Sequence, residues 1–337
     1  MRVATGTYVG TGADGEAVTV GFQADYIHVK CTGQTGCQRT STMVGDASFF
    51  SNSGILTDGI QSITSTGFTV GTRLHVNGNG TTYYYTAIQA DTTPDFKVGS
   101  YTGNGLDNRA ITGVGFQPAV VQVLEASAGV GVPSYATAQQ SADAAQDYDT
   151  GGGANLIQSL DADGFTIGSA ATINTDTAAY HYIAFKAVDG FTATGTYVGN
   201  GADDRDITAA GFQPAFVHIH SGAGVTVARI KTADMGLDAG SYGAAAFATD
   251  AIQSFTATGF QVGTHATVNG SGVTLRWFAL KAGVSPAGGG AGGSTGGGGK
   301  KGGGKKGGGK GAPPSAPPSA PSGSFRITWS TSRKDWS

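Results

Sequence analysis

The sequence predicts an all-β protein: three tandem β-sandwich repeats, jelly-roll-like, followed by an extended Gly/Lys/Pro-rich C-terminal tail. Three observations predict this. First, Thr5-Gly6-Thr7-Tyr8-Val9-Gly10-Thr11-Gly12-Ala13-Asp14 returns as Val98-Gly99-Ser100-Tyr101-Thr102-Gly103-Asn104-Gly105-Leu106-Asp107, and again as Thr194-Gly195-Thr196-Tyr197-Val198-Gly199-Asn200-Gly201-Ala202-Asp203. A period of about 95 residues means three copies of one folding unit. Second, Gly supplies 58 of 337 residues and helical periodicity is nearly absent, while Thr, Val and aromatics favour strands and turns. Third, apolar and polar residues alternate where strands can be tested.

A second motif confirms the period. Ile60-Gln61-Ser62 with Gly67-Phe68 matches Ile157-Gln158-Ser159 with Gly164-Phe165, and Ile252-Gln253-Ser254 with Gly259-Phe260. The copies are placed at 4–90, 97–187 and 193–282. Their joins are too short to be flexible linkers, so neighbouring copies should touch.

Within each copy, the strand after the first Gly-Phe pair alternates. Ile27 and Val29 flank His28, with Lys30 following; Val121 and Val123 flank Gln122; Val217 and Ile219 flank His218, with His220 following. The apolar set is expected to face the core and the polar set the outside. In the last strand of copy two, His181, Ile183 and Phe185 share one face; Tyr180, Tyr182, Ala184 and Lys186 share the other. Val76-Asn77-Gly78 and Val268-Asn269-Gly270 predict type I′ hairpin turns, which need positive φ at both central residues. Ile173-Asn174-Thr175-Asp176 predicts a longer or different turn. Each Gly-Phe pair reads as a turn glycine followed by an inward aromatic. The result is six to eight short strands per copy.

Residues 283–324 form a linker, first Gly-rich with Lys300, Lys301, Lys305, Lys306 and Lys310, then Pro/Ser-rich. Such sequence is flexible or extended by itself and buries too little apolar surface to fold. In the terminal segment 325–337, Phe325, Ile327 and Trp329 alternate with Arg326 and Thr328. A short apolar strand on a long spacer suits strand addition to another subunit, so these three residues and the lysines are the expected partner-docking residues.

Charge divides along the same boundary. Of 20 basic and 23 acidic residues, eight basic and one acidic lie beyond residue 282, which leaves the body 12 and 22. A basic tail on an acidic body suits docking on an acidic surface. Nucleic acid is not expected as a partner: the basic residues are few, no aromatics interleave the lysines, and the body repels phosphate. No membrane insertion and no signal peptide are expected, because no apolar run has membrane length and Met1 leads straight into the first copy.

No catalytic constellation stands out and no cofactor is implied; Gly-x-Ser-x-Gly, His-Glu-x-x-His and P-loop patterns are absent from the sequence. Cys31 and Cys37 occur in copy one only. They read as a short-loop disulfide or as two inert thiols, with no second ligand pair for zinc. His218 and His220 read as a solvated or inter-copy face before a metal chelate. The aspartates around Asp107 and Asp203 are explained by turn bonding as well as by Ca²⁺, and no metal site is expected. Arg109 and Arg205 suggest an ion pair or a contact between copies. Tyr83, Tyr84, Tyr85, Tyr180 and Tyr182 place rings on both strand faces: either an exposed receptor or glycan face, or packing between copies.

The pattern Gly-Thr-Tyr-x-Gly-Asn-Gly-x-Asp-x-Arg-x-Ile-Thr-x-x-Gly-Phe-Gln-Pro-Ala at Gly195–Ala215, continued by Ile252–Ala282, resembles repeats of tailed-bacteriophage virion surface proteins of tail-fibre, receptor-binding or decoration type. The resemblance implies a non-enzymatic structural protein on the particle surface, anchored through its C-terminal tail to capsid or tail subunits. It also implies synthesis in the host cytoplasm and homo-oligomerisation, with a trimer as the guess. The alternatives are a host-receptor or glycan-binding fibre and, last, a capsule depolymerase. Copy one departs most: Ala24-Asp25 replaces Pro-Ala, and no Arg follows Asp14.

Overall fold

A computed structural model describes residues 1–51, 53–125, 133–140, 145–147, 153–221, 228–236, 240–241 and 246–285. The linker and the docking segment, with Lys300, Lys301, Lys305, Lys306, Phe325, Ile327 and Trp329, lie outside the described residues.

The chain is all-β, and each copy is a two-sheet sandwich. In copy two the large sheet has Phe96–Thr102 beside Ala179–Phe185, then Val120–Glu125, Ser134–Thr137 and Gln146–Asp147. The small sheet has Arg109–Thr112, Gly164–Ile167 and Ile157–Asp161. Copy three repeats this order, and copy one extends it. First pairs with last and second with next-to-last, as in a jelly roll; the strands between run on as a meander. Ser48–Phe50 takes the place of Gln146–Asp147 in copy one, whose large sheet gains Gly54–Leu56 and also Gly283–Val284, which pairs with Arg2 and Val3. The strand after copy three thus closes onto copy one. Nearby, the Met1 ammonium donates to Asp91 at 2.8 Å and Asp95 at 2.7 Å.

The repeated Gly-Thr-Tyr motif has a packing cause. A Cβ on Gly6, Gly99 or Gly195 would lie 2.4, 2.3 or 2.5 Å from the ring of Tyr85, Tyr182 or Trp277 on the neighbouring strand. Only glycine leaves room for that inward ring. Two residues on, the Tyr8 hydroxyl donates to Val76 O at 2.5 Å and the Tyr101 hydroxyl to Ile173 O at 2.7 Å. Their rings stack on Tyr83 and Tyr180 with centroids 5.1 Å apart in both cases.

Each sandwich has its own core, and a further apolar cluster joins all three copies. Tyr26, Val120 and Phe216 meet there, as do Ile88, Phe185 and Leu280. The Phe185 and Phe278 centroids are 4.8 Å apart. These are equivalent positions of the repeat, so the outer faces of the large sheets converge about a pseudo-threefold axis. This corrects the expected alternation. The central strands Tyr26–Lys30 and Phe216–Ser221 are buried at every position. Their polar set, His28, Lys30, His218 and His220, faces neighbouring copies instead of solvent, as does Gln122. A strand covered on both faces cannot expose its alternate residues.

The Asn-Gly signals also resolve differently. Leu74–Asn77, Ala171–Asn174 and Ala266–Asn269 are single helical turns in all three copies, and Gly78 and Gly270 have φ of −63° and −54°. The hairpin reading fails because the Asn side chain is not a turn former here. It is buried and clamps a loop.

Candidate functional site

The loop clamp is the most regular local structure. Asn77 Oδ1 accepts from Thr11 N and Gly12 N at 2.8 and 3.1 Å, and its Nδ2 donates to Ala13 O and Gly71 O at 2.7 and 2.9 Å. Asn174 and Asn269 do the same for the loops around Asn104 and Asn200, and there Oδ1 also accepts from Arg109 or Arg205. Both arginines lie over their own tyrosine, Tyr101 at 5.4 Å and Tyr197 at 5.1 Å. They brace loops inside a copy, which corrects the expectation of an ion pair or an inter-copy contact. The motif aspartates have structural partners too. Asp14, Asp107 and Asp203 accept from Gln61, Gln158 and Gln253 at 2.6, 2.9 and 2.9 Å.

The tyrosines expected on a receptor face sit inside. Tyr83, Tyr85, Tyr180 and Tyr182 are buried, and each belongs to its own sandwich core. The Tyr83 hydroxyl donates to Leu74 O at 2.6 Å, and the Tyr180 hydroxyl donates to Ala171 O at 2.9 Å. Backbone groups of the helical turn therefore satisfy rings that sequence alone could place on either face. Tyr84 is half-buried, 5.8 Å from Phe247 of copy three. The exposed aromatic face is thus corrected to core packing for four rings and an inter-copy contact for the fifth.

Cys31 and Cys37 are free thiols, fully buried in the core of copy one. Cys37 faces Val29 across the ladder, so Cys31 stands diagonal to it. Diagonal neighbours in a sheet are about 7–8 Å apart, beyond disulfide reach. Burial pushes the Cys37 thiol up to about 12. The disulfide reading is therefore corrected to two thiols held in an apolar core.

On the pseudo-threefold axis, His28, Gln122 and His218 form one layer. They line a cavity of about 20 Å³, together with Thr86 and Tyr135. That volume holds a single water molecule. Gln122 donates to Gln38 at 3.0 Å, Gln38 accepts from the Tyr26 hydroxyl at 2.6 Å, and the Tyr135 ring packs edge-on to His218 at 4.6 Å. Burial pushes His28 down to about 3, with Lys30 adding to the shift, and lowers His218 further from its ordinary value, with His220 and His28 contributing. The layer thus holds two imidazoles whose charged form burial disfavours, with the Gln122 amide beside them. Among the described residues, no group of three or more His, Cys, Asp or Glu is placed to hold a metal ion.

Two surface grooves occupy equivalent places in copies two and three, with volumes of about 570 and 560 Å³. Each opens between the edge strand of the small sheet and the meander of the large one. The Gln-Pro-Ala stretch supplies Gln117 and Pro118 in copy two, and Gln213 and Pro214 in copy three. Ser159 and Leu160 correspond to Ser254 and Phe255, and the exposed Lys186 to Lys281. Sequence reading used these residues only as marks of the repeat and gave them no site role, because they are unremarkable one by one. The signal available was that Gln-Pro-Ala and Phe-Lys-Ala or Leu-Lys-Ala recur in two copies and fail in the first.

In copy one the equivalent place is built from other residues. Arg39 stands where Ala136 and Lys231 stand in the others, and its guanidinium donates to Ile60 O at 3.2 Å, Gly45 O at 2.7 Å and Met43 O at 3.3 Å. Asp25 takes the place of Ala119 and accepts from Ala90 N at 2.8 Å; Gln89 replaces the lysine.

One family model, described as a domain of unknown function (DUF7483), matches residues 88–229. The match begins in the last strand of copy one and ends in copy three, out of phase with the sandwiches. No curated protein matches the chain, and no solved structure does. Among the described residues, no helix is long and apolar enough to cross a membrane.

Proposed function

We propose that this chain is a non-enzymatic structural protein of a tailed-phage particle surface, of decoration or fibre type, attached through its C-terminal tail. The observation that carries the reading is the inter-copy core. Three sandwiches of one chain share an apolar cluster and an axial polar layer, so the three copies form one packed body with threefold character. In this reading the homo-oligomer implied by the resemblance, a trimer by guess, is built from such bodies. The basic tail on an acidic body supplies the means of attachment.

The test uses purified virions of the phage that encodes the chain. Full-length protein and a version ending at Ser285 are added to particles lacking the endogenous copy, and occupancy is measured by cryo-electron microscopy. Occupancy by the full chain and loss of at least tenfold on truncation supports the reading. Equal occupancy of both refutes tail anchoring, and absence of the protein from particles refutes the virion assignment. A second reading, recognition of a host glycan, is favoured by one observation: the duplicated grooves of copies two and three.

A further inference from the structure

We propose that the equivalent grooves of copies two and three bind a carboxylate-bearing saccharide, with Lys186 and Lys281 receiving the carboxylate, and that copy one does not. The inference rests on the glycan-recognition reading and gives it a site and a ligand class.

Three observations carry it. The first is repetition. The same opening, with the same Gln, Pro, Ser and Lys positions, persists in two copies, whereas at that place in copy one the Arg39 guanidinium is bonded to Ile60 O.

The second is charge. The body carries 22 acidic against 12 basic residues, yet among the described residues no acidic residue lines either groove. Each groove instead carries an exposed lysine at the same place on the last strand. Copy one reverses both features, with Asp25 for alanine and Gln89 for lysine. An ammonium on a flexible stem at a wet rim suits a carboxylate met at variable angles, rather than the fixed bidentate geometry of arginine, and copy three adds the buried Lys231 to its lining.

The third is shape and surface chemistry. Openings of 570 and 560 Å³ fall in the range of small-molecule sites, about 300–1,000 Å³. Pro118 with Leu160, and Pro214 with Phe255, offer apolar patches for the C–H face of a sugar ring. The Gln117 and Gln213 amides and the Ser159 and Ser254 hydroxyls are hydroxyl-matching groups. An extended peptide adding to the edge strand is disfavoured, because the ladder register breaks at Gln158 and Gln253. A bulge there blunts strand addition.

The experiment titrates the full chain with three acidic tetrasaccharides, built from galacturonate, hyaluronan and α2,8-linked sialic acid, and with neutral maltotetraose. Isothermal calorimetry reads affinity and stoichiometry at low and physiological salt. At least one acidic oligomer is expected to bind at two sites per chain, at least tenfold more tightly than maltotetraose and more weakly as salt rises. K186Q and K281Q should each remove one site, and the double variant should lose at least tenfold in affinity. Both lysines are exposed, and thermal melts check that the variants fold. Absence of binding by all three acidic oligomers at millimolar concentration overturns the proposal. So does parental binding by the double variant, or equal binding of maltotetraose. Particle occupancy is read separately, so failure here leaves the virion assignment standing.

Discussion

Acid should open the central interface, and His28 sets the scale. Its imidazole is fully buried on the pseudo-threefold axis and held down to about 3 by desolvation, whereas in the unfolded chain it titrates near 6.5. The folded-state value is the lower one, so the unfolded chain binds more protons below pH 6.5. Stability is therefore lost as pH falls through the window from 6.5 to about 3, at roughly 1.4 kcal/mol per pH unit. Between pH 7 and pH 4.5 the loss from this residue alone is on the order of 2–3 kcal/mol. His218 shifts in the same direction for the same reason and adds to it. Against a total stability of about 5–15 kcal/mol, that is a large fraction. The assay is urea unfolding at pH 7.0 and pH 4.5, followed by the fluorescence of buried Trp277. The H28Q variant should lose roughly 2–3 kcal/mol less on acidification than the parent, and Gln122 shows that a glutamine occupies an equivalent place in the layer. If parent and H28Q lose stability equally between the two pH values, the axial histidine is not the acid-sensitive group and the reasoning fails.

Other consequences follow from the same geometry. Replacing Asn174 by Ala removes a buried clamp that bonds Asn104 N, Leu106 O and Gly168 O; urea unfolding should show a loss of about 2–4 kcal/mol, and a loss under 1 kcal/mol would mean that water replaces the clamp. Thr177 has φ of 62° where the other copies have Gly80 and Gly272, at φ of 74° and 75°. A left-handed non-glycine residue costs about 1–2 kcal/mol, and the entropy glycine loses on folding returns part of that. T177G should therefore stabilise by about 0.5–1 kcal/mol, seen as a melting point a few degrees higher, and an unchanged or lower melting point would contradict the strain. Cys31 and Cys37 should show no reaction with a disulfide-exchange reagent at pH 8 in the native protein, and two equivalents in urea without reductant; zero equivalents in urea would instead reveal a disulfide.

Much of the fold was legible because it is local chemistry repeated. Gly6, Gly99 and Gly195 stand where an inward ring needs space, and the second Gly-Phe pair opens a strand in every copy, whereas the first pair lies in a bend ahead of one. Three occurrences turn weak signals into a firm pattern. The Asn-Gly pairs misled because a short-range turn signal competes with a long-range use of the same side chain. Asn77 bonds to Thr11, 66 residues earlier, and no local rule contains that distance. The tyrosines were ambiguous for a related reason: alternation assigns faces but cannot say which face another element covers.

The sequence by itself determined that the body is β, that it is built three times over, and that a basic low-complexity tail follows. Periodicity, glycine content and charge segregation are properties of the chain. Only the tertiary structure decided that the large sheets converge on one axis, burying His28, Gln122 and His218 together. It alone revealed the equivalent grooves of copies two and three, and the Arg39–Ile60 bond at that place in copy one. Both facts depend on which surfaces meet, and residues far apart in sequence come together there by packing, which leaves no periodic trace in the chain.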